Sequence, residues 1–197
     1  MKTISKGQRR VGILGGTFDP IHRGHLHILE AVANRFDQIL VIPSGQPWLR
    51  AEPPIANGMD RLEMCSRALD DLTNELQEVV ALTDIEIQRS GPTYSIETVS
   101  QLKAFFPGDK FTLILGSDAA ATFDQWHRAK DLRTIAEILV VRRPGEAKSK
   151  FPEVEIDAID ISATQVRALL ENGEDVSPYI SNSVLTYIKE RGLYGSK

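Results

Sequence analysis

The stretch that decides the fold runs from Val11 to His25 and reads VGILGGTFDPIHRGH. Its first four residues are apolar and predict a buried strand, which the pair Gly15-Gly16 ends. Two histidines, His22 and His25, follow where a helical pattern begins. Glycines permit positive φ and close approach of a ligand, a helix N-terminus attracts anions, and histidines add protonatable donors. This order favours a phosphate site over an ordinary turn with surface histidines.

Five strand-like runs recur along the chain, and helical patterns separate most of them. Such alternation predicts an α/β fold of the Rossmann-like, doubly wound type, with a parallel sheet and helices on both faces. The runs are Val11–Leu14, Ile39–Pro43, Glu78–Ile85, Phe111–Leu115 and Ile138–Val141. From Ser162 onward two helices follow each other without a strong strand between them. We therefore expect a helical C-terminal end that folds back beside the sheet.

Length and composition limit the classes of protein. A chain of 197 residues suits a single domain, with a core of about residues 10–145 and a C-terminal helical part of about 160–197. The net charge of −4 argues against a general nucleic-acid or membrane surface. One cysteine, Cys65, excludes an internal disulfide and a thiolate metal cluster. Without a signal or spanning segment the predicted location is the cytoplasm, and a homo-oligomer is left open.

Polar segments follow the predicted strands, at the edge where open parallel sheets bind ligands. They are rich in glycine, hydroxyl and arginine residues and cover residues 15–25, 43–50, 89–94, 116–118 and 142–145. That combination suits a ligand with several phosphates and at least one ring. The segment from Ser44 to Gly58, rich in Pro, Gly and Gln, is the candidate for a mobile substrate loop that closes over the site.

Three candidate positions also have an ordinary structural interpretation. Asp118 stands where it would cap a short helix, so a cap alone and a cap with a ligand contact are equally supported. Trp126 is either core or a stacking face, and its polar neighbours favour partial exposure. Ser162 to Gln165 matches a capping box. Thr164 and Arg167 lie on one face of the same helix and would add a hydroxyl and a guanidinium for phosphate.

Two segments resemble signatures of the nucleotidylyltransferase superfamily. Residues 15–25 look like its HxGH motif, and residues 161–167, ISATQVR, look like its ISxTxxR motif. Nearly the whole chain resembles the bacterial nicotinate-nucleotide adenylyltransferases, with shared segments at 41–48, 61–64, 91–98, 116–118 and 142–145. The resemblance implies transfer of AMP from ATP to nicotinate mononucleotide. The products would be deamido-NAD and pyrophosphate, with Mg²⁺ held mainly by ATP oxygens and no protein ligand to the metal.

The resemblance also implies roles for individual residues. The implied catalytic residues, which contact or stabilise the ATP phosphates, are His22, His25 and Arg167. Those implied to bind ATP are Gly15, Gly16, Thr17, Phe18, Gly116, Asp118, Ser162 and Thr164. Those implied to bind the acceptor are Arg50 at its phosphate, Thr93 and Tyr94 at the pyridine carboxylate, and Trp126 beside the ring.

No motif supplies a covalent nucleophile, because Cys65 has no nearby histidine in the sequence and no G-x-S-x-G elbow occurs. This favours direct in-line attack on the α-phosphate of ATP. The alternatives are adenylyl transfer to nicotinamide mononucleotide or phosphopantetheine, and a nucleotide-binding regulator without turnover. A regulator would have lost a histidine or Arg167, which this chain keeps. A dinucleotide-dependent oxidoreductase is disfavoured, since the first turn is not G-x-G-x-x-G.

Overall fold

The structure is a computed structural model that describes residues 8–47, 52–157 and 159–196. Six parallel strands form its main sheet in the order β4-β2-β1-β6-β7-β8. They are β1 (Arg10–Gly16), β2 (Gln38–Pro43), β4 (Val80–Leu82), β6 (Lys110–Gly116), β7 (Glu137–Arg142) and β8 (Glu153–Glu155). The chain runs outward from β1 in one direction and then from β6 in the other. The switch point of this Rossmann order therefore lies between β1 and β6, and the predicted fold class is confirmed.

Helices cover both faces of the sheet. They are α1 (Arg23–Val32), α2 (Gly58–Asp70), α3 (Asn74–Val79), α4 (Ser95–Phe105), α5 (Ser117–Ala121), α6 (Ala129–Ile135), α7 (Ala163–Glu171) and α8 (Asn182–Glu190). Successive residues of β1 point to opposite faces, so Leu14 packs with α1, α2, α7 and α8, and Ile13 packs with α4 and α6. The predicted return of the C-terminal helices to the sheet is confirmed. None of the helices in the described ranges has both the length and the hydropathy of a membrane-spanning segment.

The strand predictions were wrong in three places. The run from Glu78 to Ile85 contains a strand only at Val80–Leu82, because its first two residues end α3. The strand β8 was missed, since three residues at a sheet edge give no periodic signal. The strand β1 also runs on through Gly15 and Gly16 instead of ending before them.

A second, two-stranded sheet holds the loop that follows β2. Strand β3 (Gln46–Pro47) pairs in parallel with β5 (Pro92–Thr93). Gly45 makes this close approach possible, because a Cβ there would lie 2.3 Å from the carbonyl oxygen of Glu86. The middle of the predicted substrate loop, residues 48–51, lies outside the described residues, so its closing motion stays a prediction.

Arg61 fixes three backbone segments around the site. It is 1% exposed, although it carries a guanidinium, and it lies in α2. Its nitrogen atoms donate to the carbonyl oxygens of Thr17 at 2.7 Å, Gly45 at 3.1 Å and Ala56 at 3.2 Å. One buried side chain thus joins the loop after β1, the loop after β2 and the segment before α2.

Candidate functional site

A cavity of about 500 Å³ lies beyond the carboxyl ends of β1 and β6, at the switch point of the sheet. Most residues that the sequence nominated line it. They are Gly15, Gly16, Thr17, Phe18, His22, His25, Thr93, Tyr94, Gly116, Trp126 and Ser162. Two motifs about 140 residues apart in the sequence therefore meet at one site. This is expected, because the carboxyl ends of parallel strands lie at the same edge of the sheet.

The other nominated residues that the structure describes do not line the cavity. Asp118 is exposed at the second position of α5, whose N-cap is Gly116, so the capping interpretation of Asp118 was wrong. Thr164 is exposed on the first turn of α7. Arg167 does not line the cavity itself, and it donates to the backbone of the loop that precedes α1. Arg50 falls outside the described residues, so its predicted contact with the acceptor phosphate stays a prediction.

The two histidines form a stacked pair at the start of α1. His22 is the N-cap residue and His25 the third residue of the helix, with ring centroids 3.7 Å apart. The backbone N–H of His22 donates to Nδ1 of His25 at 3.2 Å. Because Nδ1 is thereby an acceptor, the neutral ring of His25 carries its proton on Nε2. The edge of the Phe18 ring supports His25 at a centroid distance of 4.9 Å.

Burial keeps both histidines neutral at pH 7. It lowers the pKa of His22 to about 4, with a further lowering from the positive charge of Arg143. It holds the pKa of His25 well below its ordinary value, and His22 and Arg143 add to this effect. The site therefore offers neutral N–H donors beside one guanidinium. An anionic ligand would oppose the charge of Arg143 and raise both pKa values.

The unliganded protein is expected to lose stability as the pH falls from 6.5 to 4. In this window the unfolded chain protonates His22, whereas the folded protein, with a pKa of about 4, does not. The free energy of unfolding therefore falls with pH, by at most on the order of 3 kcal/mol from this group. Thermal unfolding between pH 7.5 and 4.5 measures the slope. His22→Gln should reduce this slope and leave the part that comes from His25, and an unchanged slope would contradict the assignment.

The glycine pair has a different purpose from the one expected. Neither Gly15 nor Gly16 has positive φ, so that expectation was wrong, and the left-handed residue is Phe18 with φ 50°. A Cβ on Gly16 would meet the Phe18 ring at 2.9 Å. A Cβ on Gly15 would meet no atom within 4 Å among the described residues. Because Gly16 has no side chain, the Phe18 ring can pack against it. Because Gly15 has none, the backbone at the end of β1 is uncovered towards the cavity.

The second motif is joined to the first by hydrogen bonds. The capping box is confirmed, because Ser162 Oγ accepts from Gln165 N at 3.2 Å and Ser162 N donates to Gln165 Oε1 at 2.8 Å. Arg167 donates through Nη1 to the carbonyl oxygen of Asp19 at 2.7 Å and through Nη2 to Thr164 Oγ1 at 3.2 Å. Arg167 therefore holds the backbone of the first motif in place.

Aromatic residues form another part of the cavity wall. Tyr94 packs on His127 with ring centroids 4.3 Å apart, and Trp126 packs on Phe123 at 5.3 Å. Trp126 is half-buried, as its polar neighbours indicated, and Thr93 beside Tyr94 is buried. A planar ring could stack here between apolar faces.

Three buried polar atoms on the cavity wall have no hydrogen-bond partner in the described part of the chain. They are His22 Nδ1, Ser44 Oγ and Trp126 Nε1. Buried polar groups in folded proteins nearly always have a partner. The three atoms belong to loops after three different elements, yet their residues all line the same cavity. This pattern is typical of a ligand site whose polar contacts come from the ligand.

Sequence reasoning placed Ser44 and Arg143 in segments at the ligand-binding edge but gave neither a role, and it missed Glu86. Arg143 follows β7 and pairs with Asp160, and its position at a strand end was a usable signal. Glu86 accepts from Thr98 Oγ1 at 2.6 Å and lies in a short turn without periodicity. Within the described ranges no three His, Cys, Asp or Glu side chains are grouped so that they would hold a metal ion.

Comparisons with known proteins identify the family. Residues 13–169 match the family model described as cytidylyltransferase-like. A protein of Dehalococcoides mccartyi named probable nicotinate-nucleotide adenylyltransferase is 38% identical, covering 94% of this chain and 97% of its own. One of the same name from Saccharopolyspora erythraea is 35% identical, covering 95% and 90%.

Solved structures show the same fold. The structure of Plasmodium falciparum nicotinic acid mononucleotide adenylyltransferase complexed with NaAD superposes with a TM-score of 0.85 at 22% identity, covering 96% of this chain and 99% of that one. The same protein complexed with APC gives 0.82 at 21%, with the same coverage. The structures thus share the fold, and the sequence matches show that the chain belongs to the nicotinate-nucleotide adenylyltransferases, a family of nucleotidyltransferase enzymes.

Proposed function

We propose that the protein transfers AMP from MgATP to nicotinate mononucleotide, forming deamido-NAD and releasing pyrophosphate. The observation that carries this proposal is that one cavity has two chemically different walls. One kind is the glycine loop with the histidine pair, which suits phosphates, and the other is the aromatic group of Tyr94 and Trp126, which suits a ring. The names of the relatives support the same acceptor and the same reaction.

The proposed chemistry is a direct displacement. A phosphate oxygen of the acceptor attacks the α-phosphorus of ATP, and the bond from that phosphorus to the oxygen bridging to the β-phosphate breaks. Pyrophosphate leaves with the bonding electrons. Cys65 offers no nucleophile, because burial in the core raises the pKa of its thiol and it lies apart from the cavity. Such transfers depend mainly on positioning and on stabilising charge.

Three groups of this chain would stabilise the phosphate charge. The Nε2–H of His25 is a fixed donor, because its ring is held by the bond from His22 N and by the Phe18 ring. The guanidinium of Arg143 supplies positive charge beside both histidines. The N-terminus of α1 adds the positive end of the helix dipole. Preorganised donors of this kind cost no reorganisation when charge develops.

The divalent cation is proposed to arrive with the nucleotide. Mg²⁺ usually keeps several waters and binds to substrate phosphates with few protein ligands. The donor set of the described cavity wall, rich in imidazole, hydroxyl and backbone N–H groups, fits phosphates better than a bare cation. Bound to the phosphates, Mg²⁺ would neutralise charge on them and on the leaving pyrophosphate.

Pyrophosphate release tests the proposal. The purified protein is given MgATP with nicotinate mononucleotide, nicotinamide mononucleotide or phosphopantetheine in parallel. We expect clear preference for nicotinate mononucleotide. Turnover with another acceptor would keep the adenylyl transfer and contradict the assignment of the acceptor. No turnover with any of the three would favour a nucleotide-binding regulator.

Trp126→Ala is expected to raise the KM for nicotinate mononucleotide about tenfold, because an aromatic stacking contact contributes roughly 1–3 kcal/mol. The KM for ATP should stay close to that of the wild type. Trp126→Phe is the matched variant, since it keeps a ring and removes the Nε1–H that lacks a partner. It should retain most of the affinity. Equal losses for both substrates in the alanine variant would contradict the stacking role.

A further inference from the structure

We infer that Tyr194 is a positioning residue for adenylyl transfer, which through Asp19 holds the loop between β1 and α1 in the arrangement that binds ATP. The inference rests on the proposed function. It assigns a role in the reaction to the segment after α8, which is remote in sequence from both motifs. We call residues Thr17–His22 the phosphate loop, because they connect β1 to the histidine pair.

The contact is a buried hydrogen bond between the two ends of the chain. Tyr194 OH donates to Asp19 Oδ1 at 2.6 Å. The exposed fraction is 7% for Tyr194 and 2% for Asp19. Asp19 also lines the cavity, two residues after Thr17 and three before His22. A hydrogen bond to a buried carboxylate is stronger than one between neutral groups, because the acceptor is charged and water is excluded.

The carboxylate of Asp19 joins three segments. Besides Tyr194 OH it accepts from Ile55 N at 2.9 Å and from Ala56 N at 3.1 Å, in the segment that leads into α2. A buried carboxylate requires several donors, so these bonds fix its orientation. The phosphate loop is thus tied to the end of the predicted substrate loop and to the C-terminal segment at the same two oxygen atoms.

The backbone conformation of Tyr194 indicates that tertiary contacts hold this residue in place. The residue adopts φ 57° and ψ 32°, in the left-handed region that residues other than glycine rarely adopt. Gly192 and Gly195 also have positive φ, so the chain turns sharply after α8. The turn directs the Tyr194 ring into the core. Conformations of this kind persist where surrounding contacts fix them, often near functional sites.

Arg167 explains why this bond matters to the site. Its Nη1 lies 4.0 Å from Asp19 Oδ2 and already donates to the Asp19 carbonyl oxygen. Without the Tyr194 hydroxyl, the carboxylate of Asp19 would lack one donor. The nearest cation able to replace it is Arg167. A shift of Asp19 towards Arg167 would move the phosphate loop and occupy a guanidinium that the family resemblance assigns to ATP.

The test compares Tyr194→Phe with Tyr187→Phe. Tyr187 is a matched control, because its hydroxyl also ties the C-terminal region to a buried aspartate, Asp60, at 2.7 Å, and Asp60 does not line the cavity. Each variant loses one tyrosine–aspartate hydrogen bond. Tyr194→Phe should raise the KM for ATP and lower kcat, each by about tenfold. Its KM for nicotinate mononucleotide should stay within about twofold of the wild type, and Tyr187→Phe should leave all three constants unchanged.

Assays are run at a temperature at which thermal unfolding shows both variants folded. Wild-type constants in Tyr194→Phe would overturn the inference, as would an equal loss in both variants, because activity would then follow stability. A Tyr194→Phe protein that is unfolded at every temperature would also overturn it, by showing a purely structural role.

A second readout separates this inference from the proposed function. Binding of a non-hydrolysable ATP analogue is measured by calorimetry on the wild type and both variants. If the wild type shows no turnover with any acceptor, the proposed function fails, and the calorimetry still tests Tyr194. Weaker binding of the analogue in Tyr194→Phe alone supports the inference. Equal affinity in all three proteins, together with wild-type kcat, overturns it.

Discussion

His25→Ala is expected to lower kcat for pyrophosphate release by a factor of about 10² to 10³, the usual effect of removing one preorganised donor from a site where charge develops. The reason is local. The ring of His25 is held by the N–H of His22 and by Phe18, so its Nε2–H meets a bound phosphate without reorganisation. The fold should stay intact, which far-UV circular dichroism and thermal unfolding check.

His27→Ala is the matched control for this variant. His27 lies two residues further along α1 and is absent from the cavity wall of the described structure. Its Nδ1 accepts only a long hydrogen bond of 3.5 Å from Ile159 N. We expect kcat of His27→Ala within about threefold of the wild type. Normal turnover in His25→Ala would remove this histidine from the mechanism.

Arg61→Met is expected to lower the free energy of unfolding by about 3–5 kcal/mol, which is large for one substitution. Methionine fills much of the same space but donates no hydrogen bond. The carbonyl oxygens of Thr17, Gly45 and Ala56 would then lose a buried donor, at roughly 1–3 kcal/mol each. Urea unfolding followed by tryptophan fluorescence measures the change in the free energy of unfolding. The loops after β1 and β2 should also lose their attachment to α2 beside the cavity.

Arg67→Met tests whether this effect depends on burial. Arg67 lies on the same helix, but its guanidinium pairs with Glu63 at the surface, at 2.8 Å, and lies over the Tyr187 ring. Exposed pairs of this kind contribute at most about 1 kcal/mol. The free energy of unfolding should therefore change little. Equal destabilisation by the two substitutions would show that the three carbonyl contacts of Arg61 are not its main contribution.

The strands with a recognisable apolar pattern were predictable from the sequence. Four of the five strand-like runs matched strands of the sheet, because buried parallel strands are long apolar runs. The fifth run matched only at Val80–Leu82, because Glu78 and Val79 end α3 and the edge strand stops before residues 83–85. The capping box at Ser162 was also predictable, since both partners lie within one helical turn.

The site was predictable where residues follow strands, and it was missed where distant segments meet. The glycine loop and the histidines can be recognised from a short stretch of sequence. Glu86 and Tyr194 cannot be recognised in this way, because their importance comes from contacts with Thr98 and Asp19 that depend on the whole fold. The purpose of the glycine pair was misjudged for the same reason. The positive φ belongs to Phe18, whose ring then meets Gly16 from the side.

The pairing of the two central strands has a consequence for how the protein is made. Strand β1 is in register with β6 from Arg10 opposite Lys110 onward, and the bond from Tyr194 to Asp19 spans 175 positions. Contacts between such distant residues form slowly, because a long loop of chain must close first. The cavity therefore cannot form before β6 pairs with β1, and the bond from Tyr194 to Asp19 is made only when nearly the whole chain has folded. Nucleotide added during refolding should accordingly bind tightly only in a late phase.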